Sequence, residues 1–275
     1  MKKNLLIIGV VILVGIVAVV AYVLRPPAEA TAPIEAIPLA TATTVVAAEE
    51  PTSEPAPTTE TVATEPTAET ETEAYPAPGQ ESAQAESAYP APEAGETTGT
   101  VVFSIVSTES QARFTLDEEL RSVPTTVIGA TDQVAGEIGI DFANPANSQL
   151  GIIQVNARTL TTDSSNRNRM IRNEILDTES FEFITFTPTA LTGLPATIAV
   201  GDTVTFQVTG DLTIRDVTKS VTFDVTVTVA AADRLEGLAS VTVLRSDYGL
   251  QIPSVPGVAN VTDEVLLELE FVATP

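Results

Sequence analysis

The chain has 275 residues and sets 13 basic against 37 acidic side chains, a formal net charge of −24. Phosphate backbones and anionic headgroups are bound through basic patches, so the charge argues against nucleic acid as a partner and is explained by solubility. Cysteine, histidine and tryptophan are absent, which removes disulfides, thiolate nucleophiles, imidazole bases and the usual zinc ligand sets.

At the N-terminus, Lys2 and Lys3 precede an uncharged apolar run from Leu5 to Leu24. A run of roughly 20 residues at about 1.5 Å each spans roughly the 30 Å hydrocarbon core of a bilayer. Arg25, Pro26 and Pro27 then end the helix. Residues 1–25 are expected to be a membrane anchor with its N-terminus in the cytoplasm, because the positive charges flank that side. Everything beyond it is then extracytoplasmic, in a periplasm or at a cell surface. A cleaved signal peptide is the competing reading: Ala28, Glu29 and Ala30 resemble a small-residue cleavage site, and the product would be secreted.

From 26 to 98 the composition shifts to Pro, Ala, Thr, Ser and Glu, with no lysine or arginine beyond Arg25. Such a segment buries too little apolar surface to offset its chain entropy, so it is expected to be a disordered linker. Its rms reach as a flexible chain is on the order of 45 Å. Within it Ala74-Tyr75-Pro76-Ala77-Pro78 recurs as Ala88-Tyr89-Pro90-Ala91-Pro92.

Residues 99–275 are long enough for one domain and have β texture throughout. Apolar residues alternate at Val101, Phe103 and Ile105; at Ile138, Ile140 and Phe142; at Ile153 and Val155; and at Val204, Phe206 and Val208. The period continues through Val221, Phe223, Val225, Val227 and Val229, then Val241 and Val243, then Val265, Leu267, Leu269 and Phe271. A further strand is expected near Phe183 to Phe186. The expected fold class is mainly β: an antiparallel barrel of about eight strands. One segment departs from the period of two. Met170, Ile171, Ile175 and Leu176 fall at helical spacing within 166–176, with Asp163 or Ser164 available as N-cap. A single short helix among many strands suits a lipocalin-like barrel better than an immunoglobulin sandwich.

The stretch LTIRDVTKSVTF, Leu212 to Phe223, resembles the "LTirGvTkpVtl" signature of the YceI-like family. Further words of that family follow in order. Ser110, Arg113 and Phe114 match its early strand; Gly129, Gly136 and Asp141 its next segment; Arg172, Asn173, Leu176 and Phe181 its helix; Ile184, Thr185 and Phe186 the strand after it. Arg245, Ser246, Asp247, Tyr248 and Gly249 resemble "RsdfG", and Asp263, Glu264 and Val265 the terminal "deV" strand. The chain departs from the family pattern at Glu118, where many relatives carry histidine, at Asp216 for the turn glycine, at Ser220 for a proline, and in a shortened connection at Glu182 and Phe183.

The resemblance implies a periplasmic or secreted lipocalin-like domain that binds a polyisoprenoid, a prenyl quinone or a fatty chain. Candidate cavity-lining residues are Phe114, Ile138, Ile153, Phe181, Phe186, Phe206, Phe223, Val225 and Leu267. Arg172, Arg215, Lys219 and Arg245 fall inside the family-matching words and are candidates to meet a polar headgroup at the mouth. Core packing is the competing role for the first set, and surface charge or structural ion pairing for the second. No catalytic carboxylate pair stands out, so no enzyme, cofactor or metal is expected; a second copy of the chain is an admissible partner. The alternative function is a structural or adhesive β-domain whose interior is filled.

Overall fold

The computed structural model describes residues 25–39 and 99–275, all within one compact unit. The expected membrane span and both Ala-Tyr-Pro-Ala-Pro repeats lie outside the described residues, as does 40–98 of the expected linker. No helix among the described residues is long and apolar enough to cross a membrane.

The strands are β1 (Val101–Ile105), β2 (Gln111–Leu120), β3 (Val123–Thr131), β4 (Val134–Ala135), β5 (Glu137–Ile140), β6 (Gln149–Leu150) and β7 (Ile153–Asn156). After the helix come β8 (Phe183–Thr192), β9 (Thr203–Ile214), β10 (Val217–Ala231), β11 (Arg234–Leu244), β12 (Val258–Ala259) and β13 (Glu264–Thr274). They form a 13-stranded sheet among the described residues, where about eight strands were expected. The added strands are β4, β6 and β12, which at two residues each are too short to display an alternation, and the longer β2 and β3, whose inward rows are interrupted by Glu118 and by Thr125 and Gly129.

Every pairing is antiparallel. The main path runs β4-β7-β8-β9-β10-β11-β13-β1-β5-β6, and β2 with β3 branches from β13. Because β4 sits at one end of the path while β5 lies near the other, and only Gly136 separates them in the chain, the sheet must curl. The Ile105 amide donates to the Gly136 carbonyl at 3.0 Å and draws β1 to that junction.

The β9–β10 hairpin shows why this sequence folds this way. Its strands pair from Ile214↔Val217 to Thr203↔Thr228, with Arg215 in the left-handed conformation at the tip (φ 58°). On the outer face Thr203 meets Thr228 at 2.9 Å, Thr209 meets Thr222 at 2.9 Å and Thr213 meets Thr218 at 2.9 Å, a ladder of cross-strand hydroxyl pairs. The opposite face carries Phe206, Val208 and Leu212 against Phe223 and Val225, all in one hydrophobic cluster.

A second cluster of Phe103, Ile140, Val229, Leu235, Phe271 and Ala273 seals one part of the sheet without a cavity residue from the helix. Gly237 is required there: a Cβ on it would lie 2.4 Å from Cζ of Phe271, the ring paired across from it on β13.

The helix α1 (Ser165–Met170) continues into a π-helical turn, Ile171–Ile175. Ser164 is its N-cap, its hydroxyl accepting from the Arg167 amide at 3.5 Å. Asp177, left-handed at φ 45°, follows the turn, and its carbonyl accepts from the amides of Ser180 and Phe181.

Residues 25–39 run extended against this domain. The Asn173 amide donates to the Arg25 carbonyl at 3.0 Å, and Arg25 pairs with Glu179. Both the amide and the hydroxyl of Thr31 donate to Glu182 at 2.9 Å, and the Leu39 amide donates to Glu137 at 2.6 Å.

Candidate functional site

Side chains on the concave face of the curled sheet surround a cavity of about 1000 Å³, at the upper end of the size range of small-molecule sites. Its wall is built from alternate residues: Phe114 and Leu116 of β2, Ile153 of β7, Phe186 of β8, Phe206 and Leu212 of β9, Phe223 and Val225 of β10, and Leu267 of β13. Arg167 and Met170 of α1, with Ile171 and Ile175 of the π turn, close one side; Leu250, Ile252 and Val255 approach from the loop before β12. Phe186 and Phe223 meet edge to face with centroids 5.0 Å apart.

The structure brings together most of the apolar residues proposed from sequence. Phe114, Ile138, Ile153, Phe186, Phe206, Phe223, Val225 and Leu267 all line the cavity. Phe181 does not; its ring lies under the Arg215 guanidinium at 5.9 Å, in the connection between the π turn and β8.

Of the four cations proposed for a headgroup, the structure places only Arg245 on the cavity wall. Its guanidinium is held by the Thr262 and Leu250 carbonyls, each at 3.1 Å, and lies 3.6 Å from Asp263. Arg172 turns away and donates to the Asn168 carbonyl at 3.3 Å and the Arg158 carbonyl at 2.9 Å; burial lowers its pKa. Arg215 sits at the β9–β10 tip and donates to the Ile175 carbonyl at 3.3 Å. Lys219, near the same tip, is exposed. Arg215 and Lys219 share a family word with the cavity residues Leu212, Ile214 and Phe223 but line no part of the wall, and Arg172 shares one with Leu176 while its guanidinium is taken up by backbone carbonyls.

The polar feature that the sequence reading did not assign to the site is Glu118. It occupies the same row of β2 as Ala112, Phe114, Leu116 and Leu120, all cavity-lining, and is only 8% exposed. A carboxylate in an apolar row is costly unless paired. Arg167 supplies the partner, donating to Glu118 Oε1 at 2.8 Å while also pairing with Asp163. The signal was available in the period of two, since Glu118 interrupts an otherwise apolar even-numbered row. Tyr248 also lines the cavity, and its phenol is pushed up to about 12 by burial, with a smaller push from the Asp247 carboxylate. Among the described residues no group of three or more acidic side chains is placed to hold a metal ion.

A model of the YceI-like domain matches residues 103–273. The chain belongs to the YceI-like family. The matched span runs from β1 into β13 and so contains the whole cavity wall. Several solved structures are similar. Burkholderia cenocepacia BcnA is 21% identical, the match covering 62% of this chain and 99% of that one, with a TM-score of 0.48. A polyisoprenoid-binding domain from Saccharophagus degradans, implicated in plant cell wall breakdown, is 17% identical over 62% of this chain and 97% of that one, TM-score 0.49. The YceI protein of Campylobacter jejuni is 17% identical over 54% of this chain and 84% of that one, TM-score 0.44. No curated protein matches.

Proposed function

We propose that this YceI-like chain binds a polyisoprenoid or another long-chain lipid inside the cavity, its curled sheet serving as a lipocalin-like barrel. In this reading the run from Leu5 to Leu24 tethers the domain to a membrane, on whose extracytoplasmic side it works. One observation carries the binding reading. Phe114, Phe206, Phe223 and Leu267 point to the concave face yet are only partly buried, because the space in front of them is cavity rather than packed side chain. An alkyl or prenyl chain laid there removes apolar surface from water at about 0.8 kcal/mol per methylene, so a long tail binds well without many polar contacts.

The test is native mass spectrometry of the full chain released from its own membranes, followed by solvent extraction of whatever it carries. A stoichiometric adduct that partitions into organic solvent is expected. A protein that carries no adduct and takes up no added prenyl quinone would overturn the reading.

A further inference from the structure

We propose that Glu118, fixed by Arg167, sets the headgroup selectivity of the cavity: it favours long-chain ligands ending in a neutral hydrogen-bond donor, an alcohol or primary amide, over phosphorylated chains. The inference rests on the lipid-binding reading of the cavity and deepens it. Arg167 reaches Glu118 through Oε1. That leaves Oε2 as an acceptor on the cavity wall with no protein donor among the described residues. Glu118, Asp163 and Arg167 together carry two negative charges and one positive, so this cluster repels an anion. The other guanidiniums near the cavity are engaged as well: Arg245 as described, and Arg113 with Glu268 at 3.7 Å and Glu270 at 3.4 Å. Arg121, exposed on the β2–β3 turn, lies at the rim. Past that rim a phosphate therefore sheds water without gaining an uncompensated cation, whereas a hydroxyl donates to Glu118 on an otherwise apolar row of the wall.

The test compares geranylgeraniol, geranylgeranyl phosphate and the hydrocarbon phytane in competition binding to the full chain. The alcohol is expected to bind at least roughly tenfold tighter than the phosphate at neutral pH. Glu118→Gln, which keeps the shape but frees Arg167 from one carboxylate, is expected to shrink that ratio roughly tenfold with phytane unchanged. Equal affinities for alcohol and phosphate, or a ratio unmoved by Glu118→Gln, would overturn the proposal while leaving the cavity reading intact. Failure of all three probes, phytane included, would overturn both.

A separate set of contacts carries a second inference. Residues 25–39 are fixed at three places: on Asn173 and Glu179, on Glu182 and Arg158, and on Glu137. The last fixed point coincides with the start of the sheet domain. A Cβ built on Gly139 would lie 3.4 Å from Leu39 Cδ1 and 3.0 Å from Thr100 Cγ2, so residues 39 and 100 meet at one spot. The chain between them therefore adds no net distance between the domain and residue 25. We infer that 25–39 is a strap that holds the lipid-binding domain at the membrane surface, against the helix that walls its cavity, rather than on the long tether its composition suggests. This rests on the proposed membrane helix.

A protease site inserted after Thr67 in the full chain, reconstituted in liposomes, provides the test. After cleavage the C-terminal fragment is expected to sediment with the vesicles, and the combined substitution Arg25→Ala, Thr31→Pro and Leu39→Asp, one at each fixed place, is expected to release it. Release of the unsubstituted C-terminal fragment on cleavage would overturn the strap. The N-terminal fragment reports separately: found in the supernatant, it would overturn the membrane helix and the strap with it.

Discussion

Replacing Arg158 by methionine is expected to destabilise the domain by about 3 kcal/mol, the low end of the range for breaking a buried ion pair. At roughly 2–4 °C per kcal/mol for a domain of this size, that is a fall in Tm of roughly 6–12 °C by calorimetry. The reason is how much one guanidinium does. Arg158 pairs with Glu182 at 2.8 Å, and both side chains are 11% exposed, so water screens the pair little. Arg158 also donates to the carbonyls of Thr178 at 2.7 Å, Glu179 at 3.0 Å and Glu29 at 3.2 Å. It thereby ties the 3₁₀ turn after β7 to the segment entering β8 and to residues 25–39. Arg158→Lys is expected to recover only part of the loss, because an ammonium cannot reproduce the forked geometry.

The effect carries a pH signature. Burial raises the Glu182 pKa, but the Thr31 amide and hydroxyl, the Asn156 amide and the Arg158 charge outweigh it, and the net shift is downward from 4.5. A depressed carboxylate contributes stability that is present above its unfolded pKa and is lost as pH falls through its folded one. The gap between the parent chain and Arg158→Met is therefore expected to be full at neutral pH and to narrow only below pH 4.5. A gap that instead closed between pH 6 and 8 would show that Glu182 is not the group responsible.

What the sequence made legible follows from the range of the forces involved. The β9–β10 hairpin was readable because its apolar residues keep a period of two, broken on β10 by Lys219, and its turn is local; the pairing of its threonines across the two strands depends on a register that the alternation alone does not fix. The short helix was readable from its own local spacing over 166–176; of the two caps the sequence offers, Asp163 and Ser164, the structure uses Ser164, and it makes the second half a π-helical turn. Glu118 was read as a departure from a family pattern rather than as a cavity group, because its partner Arg167 is 49 residues away and no local rule pairs them. Phe181 and Arg215 were assigned to a cavity and its mouth but contact each other instead, since membership of a motif says nothing about which way a hairpin tip turns. Residues 26–39 read as linker by composition. Their contacts, such as Arg158 with Glu29 across 129 residues, depend on tertiary placement that composition does not encode.

The sharpest separation between a lipid-binding interior and a filled core comes from Ala239→Trp. Ala239 pairs with Val225 on β10 and Leu269 on β13, and it lines the cavity. If that volume serves a ligand, the indole enters space that no side chain uses. The expected result is loss of prenyl chain uptake by more than roughly tenfold, equivalent to at least about 1.4 kcal/mol of binding, with Tm nearly unchanged. If the interior packs as a core, the same substitution overfills it, and a loss of about 1–3 kcal/mol of stability is expected. Ala273→Trp is the matched control. Ala273 is 0% exposed on the neighbouring strand β13, packed in the second cluster and outside the cavity lining, so it has no room to accept an indole and should destabilise by the overpacking amount under either reading. Thermal melts of both variants beside a binding titration decide the matter. Two equally destabilised variants would mean that the concave face is a core, and the apolar row on β10 a wall with nothing behind it to hold.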